Sequence, residues 1–180
     1  MKTYIALFRG INIGGNNIIS MKSLATILEN LDLQNVKTYI QSGNVVFQSR
    51  GKNSSRLSSK ISAEIKKSQG FEPKVLLLEL EEMGKAVESN PFPEAELRPE
   101  TLHVIFLASV PVNPDLKKLE SLKIKSERFE LKGKVFYLHA PDGVGRSKLA
   151  ANVERLLGVS MTGRNWRTVC KIMAMAKEYN

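Results

Sequence analysis

Two successive stretches of the chain carry the same order of apolar periods, and that order constrains the fold more than any single motif. In the first, residues 3–9 read as a strand, and Met21, Leu24, Ile27, Leu28 and Leu31 then recur at helical spacing behind Ser20, a good N-cap. Val36–Gln41 and Asn44–Gln48 are β-rich runs around Ser42-Gly43, the pattern of a hairpin. Leu57, Ile61 and Ile65 mark a helix face that Gly70 closes, and residues 74–80 form another apolar strand. The second stretch repeats this with a strand at 101–108, a helix opened by Pro114, and strands near 127–131 and 134–139 around Gly133. A helix bearing Leu149, Val153, Leu156 and Leu157 follows, then a short strand near Val159. A last helix, from about Arg164, presents Trp166, Val169, Cys170 and Met173 on one face.

The order strand, helix, strand, strand, helix, strand is the split pattern of a ferredoxin-like unit. The expected fold is therefore α+β, with duplicated ferredoxin-like (βαββαβ) halves, antiparallel sheets and a C-terminal helix. The first half is expected at residues 1–80 and the second, with the C-terminal helix, at 101–180. Between them, residues 81–100 read as a connector through Met83, Ala86 and Val87 to Asn90-Pro91-Phe92-Pro93. At 180 residues neither a disulfide nor a metal is needed to stabilise such a core. The single Cys170 excludes an internal disulfide and points to a reducing compartment. No uncharged apolar run approaches the roughly 20 residues that span a bilayer, and a strand begins almost at Met1, so a cytoplasmic protein without signal peptide or membrane anchor is expected.

The formal charge of +9 favours acidic partners, and its distribution says where they would bind. No acid lies between Arg9 and Lys22 or between Arg155 and Lys177, whereas Glu72 to Glu100 is acid-rich. The basic side of the molecule is expected to coincide with three loops: Arg9-Gly10-Ile11-Asn12-Ile13-Gly14-Gly15-Asn16-Asn17, Gly143-Val144-Gly145-Arg146-Ser147-Lys148 and Thr162-Gly163-Arg164-Asn165-Trp166. Each runs into a segment that reads as a helix. Glycine turns free backbone N–H groups and a helix start adds about half a positive charge, so a neighbouring Arg or Lys completes an anion site. In the second loop Ser147 would cap the next helix while Arg146 offers a planar fork to phosphate or carboxylate. In the third, Thr162 reads as the cap, and Arg164 and Arg167 stand where the helix dipole disfavours cations, a cost that a bound anion would offset.

Neither glycine loop fits a standard nucleotide fingerprint. The first lacks the Gly-x-Gly-x-x-Gly spacing and a closing Gly-Lys-Ser/Thr, and the second has the wrong glycine spacing for a phosphate loop. A plainer reading stands beside the anion site: Gly10, Gly14 and Gly15 turn the chain, and Asn12, Asn16 and Asn17 satisfy the loop backbone. Turn chemistry likewise accounts for Gln41 and Asn44 at the hairpin. Tyr4 with Phe8, and Phe136 or Tyr137, faintly match an RNA-stacking platform, although burial against helices is the expectation. His103 and His139 lie in strands with no ligand at metal spacing, so no metal site and no cofactor are expected. Cys170 reads as a small core residue, and Ser42 or Ser147 beside glycine makes no catalytic triad.

Together with Thr38-Tyr39-Ile40-Gln41-Ser42-Gly43-Asn44-Val45-Val46-Phe47, these loops carry a resemblance. The chain is similar to the bacterial family known as domain of unknown function 1697. The matching blocks are Arg9–Gly15, the Tyr39–Phe47 hairpin, Asn90-Pro91-Phe92, Gly145–Leu149 and Thr162–Trp166, with Ile13 where Val and Gly163 where Ala is typical. The resemblance implies a duplicated ferredoxin-like fold and no particular activity.

The functional expectation is an anionic ligand, nucleic acid or a phosphate-bearing small molecule, held on a basic face. The residues named for it are Arg9, Gly10, Asn12, Gly14, Gly15, Asn16, Ser42, Asn44, Gly145, Arg146, Ser147, Lys148, Thr162, Arg164 and Asn165. Two alternatives stay open: an enzyme acting on a phosphorylated small molecule, with Arg9, Arg146 and Arg164 as electrostatic clamps, and a regulatory module that binds another protein.

Overall fold

The computed structural model describes residues 1–51 and 53–179. Its strands are β1 (Lys2–Arg9), β2 (Gln34–Tyr39), β3 (Asn44–Ser49), β4 (Lys74–Glu79), β5 (Leu102–Leu107), β6 (Arg128–Lys132), β7 (Val135–His139) and β8 (Met161–Asn165). Its α-helices are α1 (Met21–Glu29), α2 (Ser54–Gln69), α3 (Leu80–Glu88), α4 (Leu116–Leu122), α5 (Lys148–Leu157) and α6 (Trp166–Lys177). Two compact units result, Met1–Lys85 with Lys171–Asn180, and Ala86–Cys170. The chain leaves the first unit within α3 and returns to it within α6.

In the first unit the sheet order is β2-β3-β1-β4, with all neighbours antiparallel. The second unit has the order β6-β7-β5-β8, again antiparallel. Position for position β5 stands for β1, β6 for β2, β7 for β3 and β8 for β4. These are the duplicated ferredoxin-like halves that the apolar periods predict. In each half the last strand runs straight into a further helix, α3 or α6.

Alternate residues of each strand face opposite sides of the sheet, and in β1 both sides are buried. Tyr4, Ala6 and Phe8 lie on the β1 face that packs with Val45, Phe47, Leu24, Leu28, Ile61 and Ile65 in one core. The Tyr4 and Phe47 rings stack at 5.8 Å. Ile5 and Leu7 on the other face are equally buried, so β1 reads as a continuous apolar run. In the second unit Ile105, Leu107, Phe136 and Leu138 meet Leu119, Leu149, Val153 and Leu157 in the same manner.

Caps account for the helix boundaries. Ser20 Oγ accepts from Ser23 N at 3.0 Å, Ser147 Oγ from Ala150 N at 3.0 Å, and Gly70 ends α2 in the left-handed region. Two sequence expectations shift. Pro114 precedes α4 and does not open it, because Asp115 Oδ1 accepts from Lys118 N at 2.9 Å and takes the N-cap. Residues 161–165 are strand and not a helix start, because β5 supplies the ladder: Thr162 faces Phe106 and Arg164 faces Val104.

Residues 86–100 are latched to the second unit by side chains. Asn90 Oδ1 accepts from Phe92 N at 3.0 Å, and its amide donates to Glu96 at 2.8 Å. Glu94 pairs with Arg128 of β6, whose guanidinium lies 4.7 Å over the Phe92 ring. Tyr137 O–H donates to Ala86 O at 2.7 Å. At the other end of the chain, Lys37 of β2 pairs with Glu178 at 2.6 Å and stands 4.9 Å over the Tyr179 ring, while Gln48 donates to Tyr179 O. Among the described residues no helix is long and apolar enough to cross a membrane.

Candidate functional site

The first loop leaves the end of β1 and is tied to the β2–β3 turn. Phe8 N donates to Gly43 O at 2.8 Å, and Gly43, at φ +76, packs so closely that a methyl group there would stand 2.6 Å from Phe8 Cβ. Asn12 binds both sides: its amide donates to Ile19 O and to Gln41 O, each at 2.9 Å, and its carbonyl accepts from Ile19 N at 2.8 Å. Asn17 donates to Gly10 O at 2.8 Å, and Asn16 makes a weak turn contact with Gly14 O at 3.4 Å. Asn44, fully buried, donates to Tyr39 O and Ser42 Oγ at 3.0 Å. The structure therefore uses these amides as loop mortar. The loop offers to solvent the bare backbone at Gly14 and Gly15, where a Cβ would meet nothing within 4 Å, beside the exposed side chains of Ile13 and Ile18.

The second loop is built otherwise. β7 ends at His139, Gly143 N closes a turn onto Ala140 O at 3.0 Å, and a 3-10 turn over Val144–Arg146 delivers Ser147 to the cap of α5. Gly143 and Gly145 face open space. Arg146 and Lys148 are exposed, and among the described residues neither forms an ion pair, whereas Lys2, Lys66 and Lys85 are each paired with a glutamate. Ser147 is buried and spends its oxygen lone pair on Ala150 N, which leaves its O–H proton uncommitted by the cap.

The third loop is strand β8. Thr162 is a buried ladder residue and does not cap α6; Asn165 does, its Oδ1 accepting from Thr168 N at 2.9 Å. Arg164 is half-buried, and desolvation pulls its guanidinium down to about 10, so it stays charged at neutral pH. Nη1 of Arg164 donates to Gly163 O at 2.9 Å. The second and third loops share one end of their sheet, because His139 of β7 and Asn165 of β8 flank the start of β5 at Leu102 and His103. The first loop occupies the other end of its own sheet, where β1 finishes. The three loops are thus not equivalent in the duplicated topology.

Other sequence candidates fall into the core or out of it. Tyr4, Phe8, Phe136 and Tyr137 are all buried, which removes both stacking platforms. Burial also pushes the Tyr137 phenol up to about 12. Trp166 packs inside as expected, but Cys170 is exposed. The buried stripe of α6 runs through Trp166, Val169, Ile172 and Ala176, and the helical turn leaves Cys170 at its rim. Partial burial raises the Cys170 thiol and makes it a poor nucleophile.

Sequence reading missed a polar cluster on β6 and β7. Nη2 of Arg128, besides pairing with Glu94, donates to His139 Nδ1 at 3.0 Å. Burial first, and the Arg128 charge second, hold His139 below its ordinary value, so its ring stays neutral with the proton on Nε2. Burial does the same to His103, whose Nε2 has no hydrogen-bond partner among the described residues. The Asn90-Pro91-Phe92 block was the one visible signal of that cluster.

Residues 1–137 match the family described as protein of unknown function (DUF1697), and the chain belongs to it. A solved structure titled as the conserved bacterial protein SP0830 from Streptococcus pneumoniae is similar at 28% identity and a TM-score of 0.70, over 97% of this chain and 98% of that one. No curated protein matches the chain.

Proposed function

We propose that this family member binds a phosphate-bearing anion at the Gly143–Lys148 turn. The observation that carries the reading is the pair Arg146 and Lys148, exposed and free of ion pairs among the described residues, at the first turn of α5. The first N–H groups of a helix carry the positive end of its dipole, and the Ser147 side chain satisfies only the Ala150 donor. Asp142, the acid directly before the turn, accepts from Ser126 Oγ at 2.6 Å, and two cations held at that end without an ion pair among the described residues are poorly placed for stability and well placed for an anion. Glycine on either side of Val144 lets a phosphate approach the backbone without a side chain in the way. Arg164 and Asn165, at the same end of the sheet, form the outer edge of this reading.

In the first unit, Gly10, Gly14 and Gly15 present backbone to solvent while Asn12, Asn44 and Ser42 hold the loop; we assign them the supporting role of shaping it. Buried sheet aromatics leave phosphate, and not base stacking, as the basis of recognition.

Titration of short RNA, short DNA and inorganic pyrophosphate at several salt concentrations tests this. For a nucleic acid, log affinity is expected to fall by about 0.7 to 0.9 per phosphate contacted for each unit of log salt. The double variant Arg146→Ala, Lys148→Ala is expected to lose binding of whichever anion binds and to melt like the parent, since exposed unpaired cations contribute little to stability. Retained binding in that variant, or no binding of any of the three at low salt, refutes the proposal.

A further inference from the structure

The duplicated topology gives the Gly143–Lys148 turn a counterpart in the first half, the β3–α2 turn that begins at Arg50. Beside that turn lies a cleft of about 530 Å3, a volume typical of small-molecule sites. One wall is the α1–β2 connection, where Asp32 adopts φ +61 and Leu33 N donates back to Leu28 O at 3.3 Å, the closed helix end that drives Leu33 inward. The opposite wall is Ser49-Arg50-Gly51 at the end of β3, pinned by Tyr4 O–H donating to Gly51 O at 2.8 Å and by Gly51 N donating to Ser49 Oγ at 3.1 Å. Leu57 and Lys60, one turn apart on α2, complete the lining.

The lining separates into two kinds of surface. Leu31 and Leu57 are only partly buried and Leu33 is buried, so together they make an apolar floor open to a guest. Arg50 and Lys60 are exposed and, among the described residues, form no ion pair, although Asp32 lines the same cleft. An open cleft with a leucine floor, in which Arg50 and Lys60 outnumber the one carboxylate of Asp32, is matched by a molecule with an apolar body and an anionic head. Burial of the body against leucine and charge-assisted hydrogen bonds to the head would then act together.

We infer that this cleft is a binding site for a small organic anion, an apolar ring or branched chain ending in one phosphate or carboxylate. It is separate from the Gly143–Lys148 turn and does not depend on it. Both head groups are tested directly with naphthyl phosphate and naphthoate, followed by methyl NMR of the full chain. The expected result is saturable shifts of the Leu31, Leu33 and Leu57 methyls, with whichever probe binds more tightly identifying the head. Affinity should fall by about tenfold or more in Arg50→Ala, Lys60→Ala, and neutral naphthol and inorganic phosphate should bind at least about tenfold more weakly, since each lacks one half of the match. Both substitutions lie on the surface, so amide spectra should confirm an unchanged fold. Arg146→Ala, Lys148→Ala should leave these shifts intact. The inference is overturned if neither probe saturates, if affinity survives the Arg50 and Lys60 substitutions, or if inorganic phosphate binds as tightly as the probes.

Discussion

Replacing Gly43 by Ala should destabilise the first unit far more than the same change at Gly14, although both glycines occupy left-handed backbone. At Gly14, φ is +57 and a Cβ would meet nothing within 4 Å, so only the conformational cost applies, about 1–2 kcal/mol. At Gly43, φ is +76 and the new methyl would lie 2.5 Å from Ile11 Cδ1 and 2.6 Å from Phe8 Cβ. Ile11 Cδ1 ends a flexible side chain and can swing aside. Phe8 Cβ is fixed to the central strand, so the hairpin must move away from it, which adds about 1–3 kcal/mol. The total, about 2–5 kcal/mol, corresponds to roughly 4–20 °C in melting temperature for a chain of this size. Urea and thermal unfolding followed by circular dichroism read the global effect, and amide exchange at Phe8, whose N–H donates to Gly43 O, reads the local one. Equal destabilisation by Gly43→Ala and Gly14→Ala, or undiminished Phe8 protection in Gly43→Ala, refutes the reasoning.

Asn12→Ala removes three hydrogen bonds, one that joins the first loop to Gln41 of the hairpin and two that hold Ile19 at the loop's own far end, and should cost about 2–3 kcal/mol in urea unfolding, against about 1 for Asn17→Ala, which loses the bond to Gly10 O. Stability should also fall as the solution is acidified. His139 and His103 are both held below their ordinary value of 6.5 when folded, so the unfolded chain takes up protons first. Their contribution is complete above that value and is lost as pH falls through it toward the lower folded values. Melting temperatures measured between about pH 7 and pH 5 should decline, and less steeply in His139→Gln.

Much of the fold was legible because apolar periodicity is a local record of which face is buried. Tyr4, Phe8 and Phe47, or Leu149, Val153 and Leu157, announce their elements without reference to the rest of the chain. Residues 161–165 do not. Thr-Gly-Arg-Asn has no apolar alternation, and its strand exists because β5 offers an open edge to pair with. Cys170 misled for a related reason: Trp166, Val169 and Met173 fit one helical stripe nearly as well as Trp166, Val169 and Ile172, and only packing chooses between them. Of the loops, the capping role of Ser147 was readable from its place before an apolar run, while Asn165 displaced Thr162 once the strand was known. Arg50, Lys60 and Leu33 come from three separate segments, and no spacing in the sequence brings them to one cleft.

The anchoring of Glu178 and Tyr179 on Lys37 and Gln48 sets a timetable for biosynthesis. A nascent chain exposes β2 as the outermost strand of its sheet long before those residues leave the ribosome. At about 5–20 residues per second the interval is on the order of ten seconds, far longer than a hairpin takes to form. Throughout it, the β2 edge is open to pairing with other chains. Lys37 on that strand, charged and without its final partner, is then the natural deterrent, and the same side chain that later receives the tail would first guard the edge against aggregation.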